Sequence, residues 1–140
     1  MSNSHDVRTA IIVNPSLPLG LIANTAGAIA IGLGAKVPGL AAQQLVDRQN
    51  RTIDISSRLP VPILQADSSA LQALLLKALN HDDERAVVPF PAFARSLHAF
   101  EEYERIFPGC DLASEVIDGV GLAGPAKWVK SLTGSLKLLR

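Results

Sequence analysis

The pattern of hydrophobic and polar positions is clearest in the N-terminal quarter of the chain. Residues 9–13 (TAIIV) form a short, mainly apolar run rich in β-branched side chains, which is typical of a strand buried on both faces. Pro15 and Pro18 end this run, because proline lacks an amide proton for the sheet and restricts the residue before it. The pattern therefore predicts one buried strand followed directly by a loop.

From Gly20 onward the apolar positions recur with helical spacing, and the predicted helix ends near Gly34. One face carries the larger apolar residues Ile22, Ala26, Ile29 and Leu33. The opposite face carries the small residues Gly20, Asn24, Gly27 and Ala28. Because a glycine inside a helix costs about 1 kcal/mol relative to alanine, we expect this second face to pack closely against another backbone.

The remaining pattern predicts three more pairs of a strand and a helix. In order, the predicted strands and helices lie at 61–66, 67–79, 86–90, 93–107, 116–123 and 125–132. This alternation predicts a three-layer α/β/α domain with a small mixed, mostly parallel sheet of about four strands. Between these elements, residues 40–46 are predicted as a short helical piece and residues 52–55 as the edge of a hairpin. Residues 136–139 are predicted as a short strand or an extended tail.

Length and composition place limits on the kind of protein. With 140 residues, the chain is expected to form a single domain over 1–140, with a polar, frayed tail at 1–7. The only cysteine, Cys110, cannot form an internal disulfide, so we expect a cytoplasmic protein. The formal net charge is zero and aromatic residues make up 4% of the chain. Nucleic-acid binding is therefore not expected, since it uses basic contacts to phosphates and aromatic stacking.

The stretch between Arg8 and Lys36 contains no charged residue, but it does not have the pattern of a membrane span. Pro15 and Pro18 interrupt it, and Asn24 lies inside what remains. The uninterrupted apolar part is shorter than the roughly 20 residues needed to cross a bilayer. A signal peptide would need its apolar core nearer the start, after a basic segment. We therefore interpret this stretch as a core helix and expect no membrane contact.

The two ends of the chain resemble type 2 peptidyl-tRNA hydrolases. At the C-terminus, a Gly-Pro pair at 124–125 and the sequence VKSLTGSLKLL at 129–139 are similar to an ending that those enzymes carry as Lys-Ile-Thr-Gly-His-Leu-Lys-Leu-Leu. The first strand and the turn LPLGLIAN at 17–24 resemble an uncharacterised bacterial branch of that superfamily, a domain family of unknown function. The resemblance implies the hydrolase-like fold and a homodimer.

Two departures from the hydrolase pattern concern its chemistry. The hydrolases place a lysine where this chain has Leu21, and they carry an Asp-Ala-Gly-Arg-Thr loop where this chain has the sequence FPAF at 90–93. A leucine cannot donate to a phosphate or polarise an ester, and no carboxylate follows the strand to position a water molecule. We therefore expect the hydrolase activity to be absent.

The candidate ligand-binding residues are polar side chains around the first helix. Asn14 and Ser16 lie between the strand and the helix, where free N–H groups and the helix dipole favour anions. Ordinary turn formation is the alternative for both. Asn24 and Thr25 lie one turn into the helix, near the edge where α/β folds bind ligands. A hydrogen bond to a neighbouring loop is the alternative role for Asn24.

Other residues with reactive side chains have a simpler interpretation. His98 can act as an acid or a base, but nearby Glu101 and Arg105 indicate a solvated face. Residues 81–84 (HDDE) are one acidic turn without a second group of ligands, so we expect no metal and no cofactor. Cys110 has no neighbouring base in the sequence, and we do not expect a catalytic thiol.

Three functional hypotheses remain open. The first is a module that lacks hydrolase activity and binds a small ligand or a partner. The second is a hydrolase with a rebuilt site around Asn14, Ser16, Asn24 and His98. The third is a structural or interaction protein, whose mark is a large apolar surface without a polar pocket.

Overall fold

The computed structural model describes residues 6–80 and 85–140. Within them the chain forms seven strands and four α-helices. The strands are β1 (Val7–Val13), β2 (Gln44–Val46), β3 (Thr52–Asp54), β4 (Ile63–Gln65), β5 (Ala86–Pro91), β6 (Ile117–Pro125) and β7 (Lys137–Leu138). The α-helices are α1 (Leu19–Lys36), α2 (Ser68–Ala78), α3 (Phe100–Ile106) and α4 (Ala126–Thr133).

The main sheet has five strands in the order β5-β6-β1-β4-β7. Only β1 and β4 pair in parallel, whereas β1–β6, β5–β6 and β4–β7 are antiparallel. The chain is thus a mixed α/β domain, and the predicted mostly parallel sheet of about four strands is wrong. The reason lies in the connection from β5 to β6. Its helix α3 has no buried residue and does not carry the chain across the sheet, so β6 returns beside β5 in the opposite direction.

Alternating side chains of β1 divide the core between the two faces of the sheet. Ile11 and Val13 cluster with residues of α1, whereas Ala10 and Ile12 cluster with residues of α2 and α4. The cluster that contains Ala10 and Ile12 also includes five buried residues of α2 and α4: Leu71, Leu74, Leu75, Ala78 and Val129. The helical spacing of these residues predicted their inward face correctly. Asp67 caps α2 by accepting a hydrogen bond from the N–H of Ala70 at 2.8 Å.

The large apolar residues of α1 face the sheet as predicted, but the small residues of the opposite face, Gly20, Asn24, Gly27 and Ala28, are exposed, so the close packing predicted for that face is not found among the described residues. Thr25, Ile29 and Leu33 are buried, and α1 packs on β1, β5 and β6. Among the described residues it is the one helix long and apolar enough to cross a membrane, with a mean hydropathy of 1.3 over 18 residues. Because Thr25, Ile29 and Leu33 on successive turns are buried where α1 packs on the sheet, we keep the interpretation of a core helix.

Two local predictions differ from the structure, and two others are confirmed. Residues 40–46 are not a helical piece, because Ala42 adopts a positive φ of 62° and β2 pairs with β3. That pairing confirms the predicted hairpin edge at 52–55. Residues 136–139 contain a strand, since β7 pairs with β4. The tail predicted at 1–7 is too long by at least one residue, because Val7 already pairs with Pro125.

The helix predicted over 93–107 is broken into shorter pieces. A 3₁₀ helix covers Ala92–Ser96, α3 follows, and a second 3₁₀ helix covers Phe107–Gly109. The aromatic side chains meet one another instead of the sheet. The Tyr103 ring lies 5.8 Å from that of Phe107 and 6.2 Å from that of Phe100, which is 69% exposed. Their mutual stacking replaces the inward face that the sequence pattern predicts.

Gly121 is the glycine on which the contact between β6 and α1 depends most directly. We expect Gly121→Ala to lower the free energy of unfolding by about 1–3 kcal/mol, because its new methyl group would overlap Cγ2 of Ile29. Gly39→Ala is the matched control, since nothing lies within 4 Å of the added carbon. Urea denaturation of both variants measures the effect. Equal stability of the two variants would contradict this account of the packing.

Candidate functional site

The carboxyl end of β1 lies at an edge of the sheet where several polar groups come together. β5 also ends at this edge, and β6 begins there because it runs antiparallel to both strands. The N–H of Asn14 donates to the carbonyl of Asp118 at 3.1 Å, which joins the loop after β1 to the start of β6. Ligands of α/β folds commonly bind at the carboxyl ends of strands, so this edge is the candidate site.

Asn14 and Ser16 form a local turn within this edge. Oδ1 of Asn14 accepts hydrogen bonds from the N–H of Ser16 at 3.0 Å and from its Oγ at 2.6 Å. The N–H of Leu17 donates to the carbonyl of Asn14 at 3.3 Å. The two predicted residues are thus brought together, but their contact is ordinary turn chemistry. Its effect is to set the direction in which the chain enters α1.

Helix α1 begins without a side-chain cap. Pro18 is the N-cap residue, no side chain accepts from the first turn, and that turn contains no acidic residue. The first helical hydrogen bond runs from the N–H of Ile22 to the carbonyl of Pro18 at 3.0 Å. Among the described residues, no acceptor meets the N–H groups of Leu19, Gly20 and Leu21. Three backbone donors and the positive end of the helix dipole therefore face outward at this edge.

The strongest polar contact of the edge is an ion pair between Arg95 and Asp118. Nε of Arg95 donates to Oδ2 of Asp118 at 2.5 Å, and Nη2 donates to Oδ1 at 2.6 Å. The Asp118 side chain is 1% exposed and that of Arg95 is 36% exposed. This two-point geometry suits a guanidinium and a carboxylate. The hydrogen bonds to Asp118 raise the pKa of Arg95 above its usual value, although partial burial opposes the effect.

A register irregularity in β6 accompanies this ion pair. Phe90 lies opposite Gly119 and Pro91 lies opposite Ile117, so Asp118 is an extra residue between two regular pairs. Bulges of this kind redirect a side chain at the end of a strand. The sequence reasoning did not select either Arg95 or Asp118. One signal was available, because Asp118 is an isolated carboxylate inside an apolar strand and such a residue is rarely buried without a partner.

Three other residues predicted for the site, Asn24, Thr25 and His98, are not part of the Arg95–Asp118 ion pair. Thr25 is buried, and a methyl group added at Gly119 would lie 2.7 Å from its Cγ2, so Thr25 packs α1 on β6. Asn24 and His98 are exposed. Among the described residues, His98 forms no hydrogen bond with Asn14, Ser16 or Asn24. The predicted set is therefore joined only in its Asn14–Ser16 part.

Metal binding and thiol chemistry were the remaining candidates. Residues 81–84 lie outside the described residues, and the rest of the chain holds no group of three His, Cys, Asp or Glu that could bind a metal. Sγ of Cys110 lies 3.6 Å from the carbonyl oxygen of Ile106. Desolvation, followed by the charge of Glu115, raises the pKa of the Cys110 thiol. A raised pKa keeps the thiol protonated at neutral pH and makes it a poor nucleophile.

Comparison with known proteins identifies the family. A model described as "Protein of unknown function (DUF2000)" matches residues 7–140, and the chain belongs to this family. A solved structure of a protein of unknown function from Agrobacterium tumefaciens strain C58 is similar, with a TM-score of 0.85 and 16% identity. The match covers 95% of this chain and 97% of that chain, which supports the same fold. No curated protein matches the sequence. The family and the similar structure both have no established activity.

The Arg95–Asp118 pair allows a double-mutant cycle. We expect Arg95→Met to cost about 2–4 kcal/mol of unfolding free energy, because it leaves a buried carboxylate without its partner. Asp118→Asn should cost less, since the remaining guanidinium reaches water. The double variant should be more stable than additivity predicts, by roughly 1–2 kcal/mol. Urea denaturation of the four proteins measures this coupling, and additive losses would show that the pair does not act as a unit.

Cys110 provides a test of the pKa direction. We expect its alkylation by iodoacetamide to rise with pH and to reach half its maximal rate above the pKa of an unperturbed thiol, about 8.5. The reason is that desolvation disfavours the thiolate in the folded chain. The same reaction in urea is the control, in which the thiol should have its ordinary pKa. A rate that levels off below pH 8 would contradict the prediction.

Proposed function

We propose that this protein is a binding module of the type 2 peptidyl-tRNA hydrolase-like superfamily, without hydrolase activity, that holds a small anionic ligand at the carboxyl end of β1. The C-terminal sequence at 129–139 and the turn at 17–24 support the superfamily. The two core clusters on either face of the main sheet support the three-layer arrangement. The single cysteine supports a cytoplasmic location.

The observation that carries the ligand class is the uncapped start of α1. The N–H groups of Leu19, Gly20 and Leu21 have no acceptor among the described residues, and no acidic side chain lies in the first turn. Backbone donors at the positive end of an 18-residue helix favour a carboxylate or a phosphate group. The turn of Asn14 and Ser16 does not cover the N-terminus of α1, since Ser16 and Leu19 are exposed to solvent.

Arg95 supplies a second source of donors at the same edge. Asp118 holds the guanidinium through Nε and Nη2 and leaves Nη1 without a hydrogen bond to the described residues. A guanidinium fixed in this way loses little freedom when it binds an anion. Because Asp118 neutralises its charge, the attraction for an anion comes from directed N–H groups rather than from net charge. This favours a small ligand over a polyanion such as RNA.

The alternative of a rebuilt hydrolase requires a general base beside the donors at α1. Asp118, a carboxylate at this edge, is buried and paired with Arg95. His98 is exposed and forms no hydrogen bond with Asn14 or Ser16. A general base must reach the proton that it removes, directly or through one water molecule. Neither Asp118, which is paired with Arg95, nor His98, which is exposed, is placed as such a base among the described residues, which supports binding without reaction.

We also propose that the protein forms a homodimer. The outer face of α1 is exposed and uncharged from Leu19 to Ala35, and Ile31 on this face is 76% exposed. A Cβ atom added at Gly20, Gly27 or Gly34 would meet nothing within 4 Å, so no contact within the described part of the chain requires these small residues. In a dimer, close packing of this face against a second chain would offset the free-energy cost of placing these glycines inside a helix.

Leu19 allows a test of the anion site that leaves the core unchanged. We expect inorganic phosphate or short carboxylates to raise the melting temperature of the wild-type protein. A ligand at 100 times its dissociation constant adds about 2.7 kcal/mol of stability. Leu19→Glu should abolish the shift, because its carboxylate occupies the helix N-terminus. Leu19→Gln is the matched control and should retain it, since Leu19 is 82% exposed and contributes little packing.

Two outcomes would contradict the proposal. An equal shift in the Leu19→Glu and Leu19→Gln variants would mean that the anion binds elsewhere, and the absence of any shift up to high anion concentration would remove the anion site. Comparing phosphate with carboxylates of similar size identifies the preferred head group. Incubation of the wild-type protein with peptidyl-tRNA should leave the ester intact, and robust cleavage would favour the hydrolase alternative.

A further inference from the structure

Asp118 contacts both parts of the edge at which we place the anion site. Its side chain accepts two hydrogen bonds from Arg95, at 2.5 and 2.6 Å. Its backbone carbonyl accepts from the N–H of Asn14 at 3.1 Å, and the carbonyl of Asn14 accepts from Leu17 in the turn before α1. Because one residue holds both groups, the guanidinium of Arg95 is tied to the segment that leads into α1.

The position of Asp118 is unusual for a carboxylate. Its side chain is 1% exposed, and the neighbouring residues of β6 up to Gly124 are buried as well. Aspartate is rarely buried so completely unless it is paired. A buried ion pair is not in itself a reliable source of stability, because the desolvation of both groups opposes their attraction. The bulge that aims Asp118 at Arg95 is therefore better explained by a role in positioning the guanidinium.

Asp118 occupies only one edge of the guanidinium. An arginine side chain carries its N–H donors in a planar fork, and Asp118 uses one donor on Nε and one on Nη2. The outer edge, formed by Nη1 and Nη2, keeps two parallel N–H groups without an acceptor among the described residues. The Arg95 side chain is 36% exposed, so solutes reach it. Two parallel donors match the two oxygens of a carboxylate.

The charges of the pair distinguish between kinds of anion. Because Asp118 neutralises Arg95, the outer edge attracts an anion through directed N–H groups rather than through net charge. Chloride has no pair of oxygens to match this edge and gains little from it. A phosphate group brings up to two negative charges close to the buried carboxylate of Asp118. A carboxylate brings a single charge, which the positive end of α1 partly offsets.

We propose that Asp118 sets the specificity of this site for a carboxylate. It holds Arg95 so that the Nη1–Nη2 edge meets both oxygens of the ligand, and it removes the net charge that would attract other anions. This inference rests on the anion site proposed above and names its head group. In this arrangement Arg95 contacts the ligand, whereas Asp118 acts through Arg95 as a positioning residue.

Arg95→Lys tests the contact with the ligand, because lysine keeps the positive charge but lacks the planar fork. Sodium acetate is titrated into the isotopically labelled protein, and its dissociation constant is read from backbone amide chemical shifts. We expect Arg95→Lys to weaken acetate binding about tenfold. Arg105→Lys, at an exposed arginine of α3, is the matched control and should bind as the wild type does. Equal affinity of the two variants would overturn the contact.

Asp118→Asn tests the specificity with a readout that a purely structural role would not change. Asparagine can still accept from Arg95, but it leaves the guanidinium charge uncompensated. We expect chloride to compete with acetate in this variant, so that raising sodium chloride from about 50 to about 500 mM increases the acetate dissociation constant about threefold, whereas that of the wild type changes little. The same dependence on chloride in both proteins would overturn the role of Asp118. Tighter binding of phosphate than of acetate by the wild type would overturn the preference for a carboxylate.

Leu19→Glu separates this inference from the proposed function on which it rests. Acetate binding that Leu19→Glu abolishes and Arg95→Lys leaves unchanged would overturn the roles of Arg95 and Asp118, and the site at α1 would stand. A wild-type protein whose amide shifts do not respond to acetate up to high concentration would overturn both.

Discussion

The close packing of α1 on β6 is the constraint on which the rest of the fold depends. β6 is paired on both edges, with β1 and β5, and Gly119 and Gly121 leave room on its surface for the side chains of α1. A methyl group at Gly119 would lie 2.7 Å from Cγ2 of Thr25 and 3.0 Å from Cδ1 of Ile29. The helix therefore sits closer to the strand than any larger residue would allow. This close contact holds Thr25 and Ile29 of α1 against β6.

The same strand explains how a buried carboxylate is tolerated at the sheet edge. Most of β6 is buried, so a polar side chain within it needs a partner inside the protein. The irregularity at Asp118 turns its carboxylate toward Arg95, which the 3₁₀ helix after β5 brings to the same edge. The Asp118 carboxylate is buried, whereas the Arg95 guanidinium reaches solvent. A guanidinium suits this position, since its remaining N–H groups can stay hydrated.

Local patterns predicted the elements well and their arrangement less well. The inward faces of α1 and α2 follow from helical spacing alone, because Ile29, Leu33, Leu71 and Leu75 recur every three or four residues. The direction of β6 does not follow from any local pattern, since it depends on whether the residues after β5 cross the sheet. The aromatic residues Phe93, Phe100 and Phe107 have the spacing of an inner helical face, yet they pack around Tyr103. The site was predicted only where it is local, at Asn14 and Ser16, whereas the Arg95–Asp118 contact joins residues from two elements.

Helix α1 connects the features to which we assign function. Its inner face is held by β6, its first turn presents the unpaired N–H groups, and its C-terminal end leads through Leu40 to the β2–β3 hairpin. Because the glycines of β6 fix the helix against the sheet, the N–H groups keep one orientation relative to Arg95 at the same edge. The outer face of the helix is fixed by the same contact and stays available to a second chain. The inner side of α1 is thus accounted for by its close contact with Gly119 and Gly121 of β6, and its outer side is the surface on which we propose that a second chain packs.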